Sequence, residues 1–381
     1  MKKRFLLIAA LAAFVFSCAP LSPANDKASA EEGTEQAVTP DFEEKECDIE
    51  NPGTRKFLEE VDYSDDPEYT ISYAADYYSD YKANDKPLPV KFTWRGIASR
   101  IMMSTSPQME NAFNVKPSSG EAAVYNLVPG VKYYYKVLDS KGVELKNGIV
   151  TPVGPLRMIN GISDNVRDLG GWKADGGHIA YGRLFRGSQL SSRISQDGKD
   201  IFLKDLGISV DLDLRGIKDS EASAGPVITE ALYLKLPVEK NLGRGTGNTE
   251  ELYQKAIRSI IGWLGQGRNI YFHCAGGADR TGSLAFLIEA LLGVSESDLS
   301  KDYEITTFAG ANTRLRNFRA TESETHILFE LVTRVREFGD PGTQSINQLV
   351  YNWATTRHSP DVDPLTDQEI ALLRQYLIQK D

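Results

Sequence analysis

The chain has 381 residues, 41% hydrophobic and 25% charged, with 32 glycines, 17 prolines and three cysteines, a balance that excludes collagen, a coiled coil, a multipass membrane protein and a disulfide scaffold. Its length predicts two folded units plus connecting segments, each large enough to bury a core. A formal charge of −10 argues against a nucleic-acid partner, because gripping a phosphate backbone takes a cationic surface.

At the amino terminus Lys2, Lys3 and Arg4 precede an unbroken apolar run from Phe5 to Phe16. A charged start followed by a short apolar core is the layout of a secretory signal, and the run falls short of the roughly 20 residues that span a bilayer. It closes on Val15-Phe16-Ser17-Cys18, which resembles a bacterial lipobox. That resemblance implies removal of residues 1–17, lipidation of Cys18 and an exported, membrane-anchored lipoprotein on the periplasmic side or the cell surface; a plain signal with Cys18 incidental is the alternative. Removing residues 1–17 takes away three cations and no anion, which moves the charge from −10 to −13. Residues 18–50 read as an acidic, disordered linker: from Asn25 to Glu50, ten carboxylates stand against Lys27 and Lys45, too little apolar matter to fold. Cys47, near its end, reads as a lone thiol.

Residues 51–155 read as a small all-β sandwich with an N-terminal extension. The extension carries a short helix near Arg55 to Val61 and a tyrosine-rich stretch of no legible role. Strands are predicted at Val90–Arg95, Ser99–Ser104, Ala122–Leu127, Val131–Leu138 and Val143–Val150, where apolar and polar residues alternate between turn formers. The stretch Tyr125-Asn-Leu127-Val-Pro129-Gly130-Val-Lys-Tyr133-Tyr-Tyr135-Lys-Val137 is similar to the fibronectin type III pattern. Pro129-Gly130 supplies a turn, while Tyr133, Tyr135 and Val137 face a core. Core packing accounts for these tyrosines; a carbohydrate-binding aromatic face is the functional alternative.

From about residue 156 the pattern changes to strands alternating with amphipathic helices, an α/β arrangement. At its centre lies His273-Cys274-Ala275-Gly276-Gly277-Ala278-Asp279-Arg280-Thr281-Gly282, entered by the β-type run Ile270-Tyr271-Phe272 and left by an apolar helix that ends at Gly293. Such a loop converges its N–H groups on an anion at a helix N-terminus. Cys274 stands there as nucleophile, and Arg280 can fork two donors onto phosphoryl oxygens. Ala275, Gly276, Gly277, Ala278 and Thr281 line the cradle.

His-Cys-x-x-Gly-x-Asp-Arg-Thr-Gly resembles the bacterial Cys-x5-Arg protein tyrosine phosphatases, in the tyrosine/lipid phosphatase branch with Asp-Arg in the phosphate loop. Asn165-Val-Arg167-Asp168-Leu-Gly170-Gly171, Gly182-Arg183-Leu-Phe-Arg186-Gly-Ser-Gln-Leu190, Asp211-Leu-Asp213-Leu-Arg215 and Asp302-Tyr303-Glu304 fit that branch, which often has Lys where this chain has Ala278. The resemblance implies, over residues 156–381, a central sheet flanked by helices. It also implies hydrolysis of phosphomonoesters through a phosphocysteine, on a phosphorylated protein or a small phosphomonoester.

Phosphotyrosine is the first reading of the substrate and phosphoinositides or inositol phosphates the second. A non-catalytic phosphate-binding module is the rival from another class. Between Asp219 and Asp279 there is no Asp, and the segment from Pro237 offers only Glu239, with Glu250 and Glu251 beyond it. Asp279 is therefore the expected proton donor, with a structural role, accepting loop N–H bonds, as its alternative. Thr281 is expected to donate its hydroxyl to the cysteine sulfur, and His273 to orient the loop. Asp168, Arg186, Asp213, Arg215 and Arg244 are possible pocket residues, each equally able to form a buried ion pair, and Gly243 to Gly247 reads as a mobile rim. No metal-ligand spacing is present, so no cofactor is expected. Ser295-x-x-Asp298, Thr321-x-x-Glu324 and Thr366-x-x-Glu369 read as capping boxes. Oligomeric state has no signal in the sequence.

Overall fold

A strand that composition alone assigns to solvent opens the structure, a computed structural model that describes residues 43–217, 219, 225–244, 248–310, 313–317 and 327–381. The signal, Cys18 and most of the acidic linker lie outside the described residues, as do Thr321 and 245–247. All described residues fall within one of two units, Phe42–Asp381.

Strand β1 (Glu44–Asp48) pairs in parallel with β7 (Glu144–Val153), which corrects the linker assignment at its C-terminal end. Backbone pairing and the burial of Cys47 and Ile49 hold these charged residues in a sheet. After β1, Asn51 caps α1 (Pro52–Glu60), its side chain accepting from the amides of Gly53 and Thr54 with Pro52 at the first helical position. Helix α2 (Ala74–Asp80) follows. Phe57, Leu58, Val61, Tyr63, Tyr69, Ala74 and Ala83 join the large core of the C-terminal half and not the β-rich core that follows them. The extension thus packs with the α/β region, a placement that its composition does not reveal.

The strands β2 (Val90–Thr93), β3 (Arg100–Ser104), β4 (Phe113–Val115), β5 (Glu121–Val124) and β6 (Tyr133–Leu138) complete the β-rich part. One sheet runs β1-β7-β6-β3-β4 and the other pairs β2 with β5. Tyr133, Tyr135 and Val137 are buried on one face of β6, in line with the alternation, while the residues between them are half-buried. Tyr135 stacks on Phe92 at 4.7 Å. The Tyr133 hydroxyl accepts from the Val128 amide at 3.1 Å, which pins the turn where Gly130 takes φ +76°.

In the α/β part, the short strands β8 (Arg167–Asp168), β9 (Lys173–Ala174) and β10 (Gly177–Ile179) precede β11 (Leu184–Gly187). Then come α3 (Gln196–Asp200), β12 (Ile208–Asp213), β13 (Leu232–Lys235), α4 (Thr249–Leu264), β14 (Asn269–His273), α5 (Asp279–Leu292), α6 (Glu296–Glu304), α7 (Ile327–Arg336), α8 (Ile346–Ala354), α9 (Asp367–Leu377) and β15 (Ile378–Gln379). The main sheet has the order β13-β12-β14-β11-β8, parallel except for β8. Alternation along β14 sends Ile270 and Phe272 into the helical core and Tyr271 into a second apolar cluster with Phe185 and Phe202, so both faces are covered, as a parallel sheet requires. Ser295 and Thr366 cap α6 and α9; of these two, a full capping box forms at Thr366–Glu369 and not at Ser295, where the Asp298 carboxylate accepts from the Ser295 hydroxyl instead of its amide. Among the described residues no helix is long and apolar enough to cross a membrane.

Glu50, between β1 and α1, is 1% exposed and neither carboxylate oxygen has a hydrogen-bond partner among the described residues. Burial, offset in part by Arg55, pushes its pKa up to about 8. The unfolded chain releases this proton near the ordinary carboxylate pKa and the folded chain keeps it, so stability falls as pH rises from about 4.5 to about 8, by at most ~5 kcal/mol. Glu50→Gln is expected to raise the melting temperature at pH 8 and to leave it nearly unchanged at pH 4.5. A melting-temperature difference that does not vary with pH would show that Glu50 is not the titrating group.

Candidate active site

The parallel strands β11, β14 and β12 end level with one another, Gly187 opposite His273 and His273 opposite Asp213. The loops leaving their carboxyl ends therefore converge at one edge of the sheet, where α/β proteins place ligands. The loop after β14, residues 274–278, runs straight into α5, with Ala278 as the helix N-cap.

Each carbonyl of this loop is tied down. The oxygen of Cys274 lies 3.1 Å from His273 Nδ1; that of Ala275 accepts from the Gln189 amide at 3.1 Å; that of Gly276 from Asn165 Nδ2 at 3.2 Å; that of Gly277 from Arg186 Nη2 at 3.1 Å; and that of Ala278 from the Gly282 amide at 2.8 Å. Carbonyls held outward leave the amides of 275–278 without a protein acceptor among the described residues, and α5 adds its positive end. The result is a preformed nest for an oxyanion. Gly277 is required there: it takes φ +66°, and a Cβ would lie 2.4 Å from the Gly187 carbonyl carbon.

Cys274 is a free, buried thiol at the floor of this nest, 3% exposed. Arg280 is the second residue of α5. Its Nη1 pairs with Asp219 and reaches the Val238 carbonyl at 3.3 Å, and its Nη2 lies 3.3 Å from the second Asp219 oxygen. Burial opposes its charge, but Asp219 and the nearby Cys274 outweigh it and raise its pKa. Nε donates to no protein acceptor among the described residues, so the Nε–Nη2 edge can face a phosphate.

Asp279 is brought to the same loop, but both its oxygens accept hydrogen bonds. Oδ1 takes the Tyr303 hydroxyl at 3.0 Å and Arg314 Nε at 2.6 Å, and Oδ2 takes Arg314 Nη2 at 2.8 Å. None of these donors is a loop N–H, so among the described residues its alternative role as acceptor of loop amides is not formed, and proton donation would need Arg314 Nη2 to leave Oδ2. The expected Thr281–sulfur hydrogen bond is not formed; Thr281 Oγ1 is buried without a partner among the described residues, because its place in the first turn of α5 fixes where the hydroxyl can point. His273 places Nε2 3.0 Å from Asp211; burial opposes its protonation, but Asp211 and Asp213 prevail and its pKa is raised.

The other candidates separate. Arg186 is fully buried beneath the loop, pairing with Asp302 and holding Gly277. Asp168 is buried on Arg157 and on the amides of Gly170 and Gly182. Asp213 chelates Arg215, whose Nη1 reaches Gln189 at 3.2 Å. Arg244 lies on Glu330 of α7. Gly243 is not part of a loose rim, since a Cβ on it would lie 2.3 Å from the Glu330 backbone. For Asp168, Asp213 and Arg244, ion pairing is therefore the observed state.

Beside Ala275 and Gly276 a cavity of about 400 Å³ opens, lined by Ser163, Asp164, Asn165, Ser188, Gln189 and Thr306 among others. Two charged groups at the site, Asp219 and Arg314, escape sequence reasoning, since neither belongs to a motif and nothing local links them to the loop 61 and 35 residues away. Among the described residues no cluster of three or more His, Cys, Asp or Glu could hold a metal ion.

A family model described as the tyrosine phosphatase family matches residues 159–379. A protein of Cupriavidus necator, whose name assigns it provisionally as a tyrosine-protein phosphatase, is 27% identical over 161 residues, covering 36% of this chain and 59% of the relative. The chain thus spans about 59% of that curated relative's length. Among solved structures, TpbA of P. aeruginosa is similar with a TM-score of 0.30 and 13% identity, over 46% of this chain and 89% of that one. For PTPMT1 the TM-score is 0.22 and the identity 10%, over 34% of this chain and 93% of that one.

Proposed function

Because the chain belongs to the tyrosine phosphatase family, we propose that it hydrolyses phosphomonoesters through a phosphocysteine on Cys274, with phosphotyrosine in a protein as the first substrate. The observation that carries this reading is the loop itself: five carbonyls each hydrogen-bonded and the amides of 275–278, next to Cys274, left without a protein acceptor among the described residues.

In the first step Cys274 sulfur attacks phosphorus, an S–P bond forms, and the ester P–O bond breaks as the departing oxygen takes a proton. In the second, water attacks phosphorus, the P–S bond breaks, and inorganic phosphate and the free cysteine are released. The amides of the loop and Arg280 stay on the phosphoryl oxygens throughout and are pre-arranged where charge develops. Asp279 is assigned as the proton donor: Arg314 Nε stays on Oδ1 and positions the carboxyl, while Oδ2, once Arg314 Nη2 has left it, carries the proton. Asp219, which lies on Arg280, is the competing carboxyl.

Two further observations support the substrate order. Among the described residues, the 400 Å³ cavity beside the loop is lined by no Lys or Arg and by one carboxylate, Asp164, a poor receptor for additional phosphates on an inositol ring. The overall charge of −10 also disfavours multiply charged head groups. The lipobox-like Val15–Cys18 supports an exported protein anchored by lipid at Cys18, with the β-rich part as spacer or docking element.

The test compares phosphotyrosine peptides with phosphoinositides by kcat/KM, using vanadate-sensitive hydrolysis of p-nitrophenyl phosphate as the threshold for any activity. Clean protein without vanadate-sensitive turnover would leave the phosphate-binding module as the better reading. Asp279→Asn is expected to lose about 100-fold or more on phenyl phosphate and under tenfold on p-nitrophenyl phosphate, since only the poorer leaving group needs the proton. Equal losses would remove Asp279 from the role, and the same pattern in Asp219→Asn would transfer it there.

A further inference from the structure

The segment between β1 and β2 lies wholly before the family-matched region, which begins at residue 159, yet it holds two of the groups that fix the phosphate loop. Arg316 is 1% exposed. Its guanidinium is sandwiched between the rings of Tyr63 and Tyr69, 4.1 Å from each centroid, pairs with the Asp66 carboxylate and reaches the Asp66 carbonyl at 3.0 Å. The Arg316 amide donates to Glu304 at 2.8 Å, and Glu304 also accepts from the Tyr63 hydroxyl at 2.5 Å and from Ser72. Among the described residues, every grip on Arg316 except those within α6 comes from residues 63–72.

Two residues earlier stands Arg314. Its backbone is clamped at both ends to Thr307 Oγ1, at 2.8 and 2.7 Å, and its side chain makes the two-point contact with Asp279. A second relay runs in parallel: Asp85 accepts from the Asn165 amide at 2.9 Å, its own amide donates to the Phe308 carbonyl, and Asn165 carries the Gly276 carbonyl. Residues 313–317 have no regular secondary structure. Their placement therefore depends on these side-chain anchors, and an arginine two residues from its anchor inherits the anchor's position.

We propose that residues 52–86 are a built-in part of the phosphatase site, in which Asp66, by fixing Arg316, positions Arg314 on Asp279 and so sets the proton-donating end of the phosphate loop. Asp66 and Arg316 are positioning residues: neither touches the cradle. The inference rests on the assignment of Asp279 given above, and the experiment separates the two.

In the full chain, Asp66→Asn is expected to lower kcat/KM for phenyl phosphate about tenfold, because displacement of a catalytic group by a fraction of an ångström to an ångström costs factors of that order. The loss should be smaller for p-nitrophenyl phosphate, and Asp66→Glu should recover most of it. The deciding arm is a double-mutant cycle with Arg314→Gln: if Asp66 acts through Arg314, Asp66→Asn costs less than about twofold in that background. Equal fold losses with and without Arg314, or full activity in a folded Asp66→Asn protein, would overturn the proposal. Should Asp66→Asn fail to fold by circular dichroism, Tyr63→Phe, which removes the hydroxyl that donates to Glu304 and accepts from the Tyr73 amide, takes its place in the same cycle. The cycle reads coupling between Asp66 and Arg314 whatever group donates the proton. Asp279→Asn without leaving-group dependence would therefore defeat the acid assignment alone.

Discussion

Cys274→Ser is expected to abolish turnover, with kcat for p-nitrophenyl phosphate falling by roughly 10⁴-fold or more. The substitution is nearly isosteric and the side chain is buried, so the loop should persist. What changes is the chemistry: a hydroxyl is a far weaker nucleophile near neutral pH, and an alkoxide is a far worse leaving group than sulfur in the second step. Binding rests on other atoms, namely the amides of 275–278 and Arg280, whose arrangement is fixed by Gln189, Asn165, Arg186 and Gly282. Inorganic phosphate should therefore protect the variant against thermal unfolding much as it protects the parent. Loss of turnover with protection kept is the signature of a removed nucleophile; loss of both would mean the loop collapsed, and more than about 1% residual kcat would exclude Cys274 as nucleophile.

How far the sequence reveals the site depends on how local the chemistry is. The phosphate loop is legible because strand, glycines, cysteine, arginine and helix start follow one another within Asn269–Leu292, and the structure builds them as β14, a turn at Gly277 and α5. The partners that aim the loop are partly legible: Arg167, Arg186 and Asp302 stand in recognisable motifs, yet only their spatial meeting shows that they form one buried ion cluster under Gly277. Asp219 and Arg314 are not legible, since their place is set by chain segments without periodicity. The segment 52–83 shows the same limit from the other side. Its aromatic residues announce burial, but a single sequence cannot say which of two cores receives them. Composition misleads at β1, where a charged pentapeptide is held by backbone pairing to β7, an interaction that side-chain chemistry does not encode.

Arg280→Lys is expected to lower kcat by about 100- to 1,000-fold with a smaller change in KM, the cost of losing oriented donors on a transition-state oxyanion. Lysine keeps the charge but presents no planar pair of N–H groups. In this site the loss is sharper, because Asp219 already occupies the Nη1 side of the guanidinium. Arginine can satisfy Asp219 with one edge and phosphate with the Nε–Nη2 edge, whereas a single ammonium must choose between a fixed carboxylate and a passing substrate. Steady-state kinetics on p-nitrophenyl phosphate decide the matter, and activity within tenfold of the parent would mean that charge alone suffices. Combining Arg280→Lys with Asp219→Asn sharpens the reading: if competition for the ammonium contributes, the double variant should bind phosphate better than Arg280→Lys alone while kcat stays depressed. That division follows from the geometry, since removing Asp219 frees the charge but cannot restore the second donor.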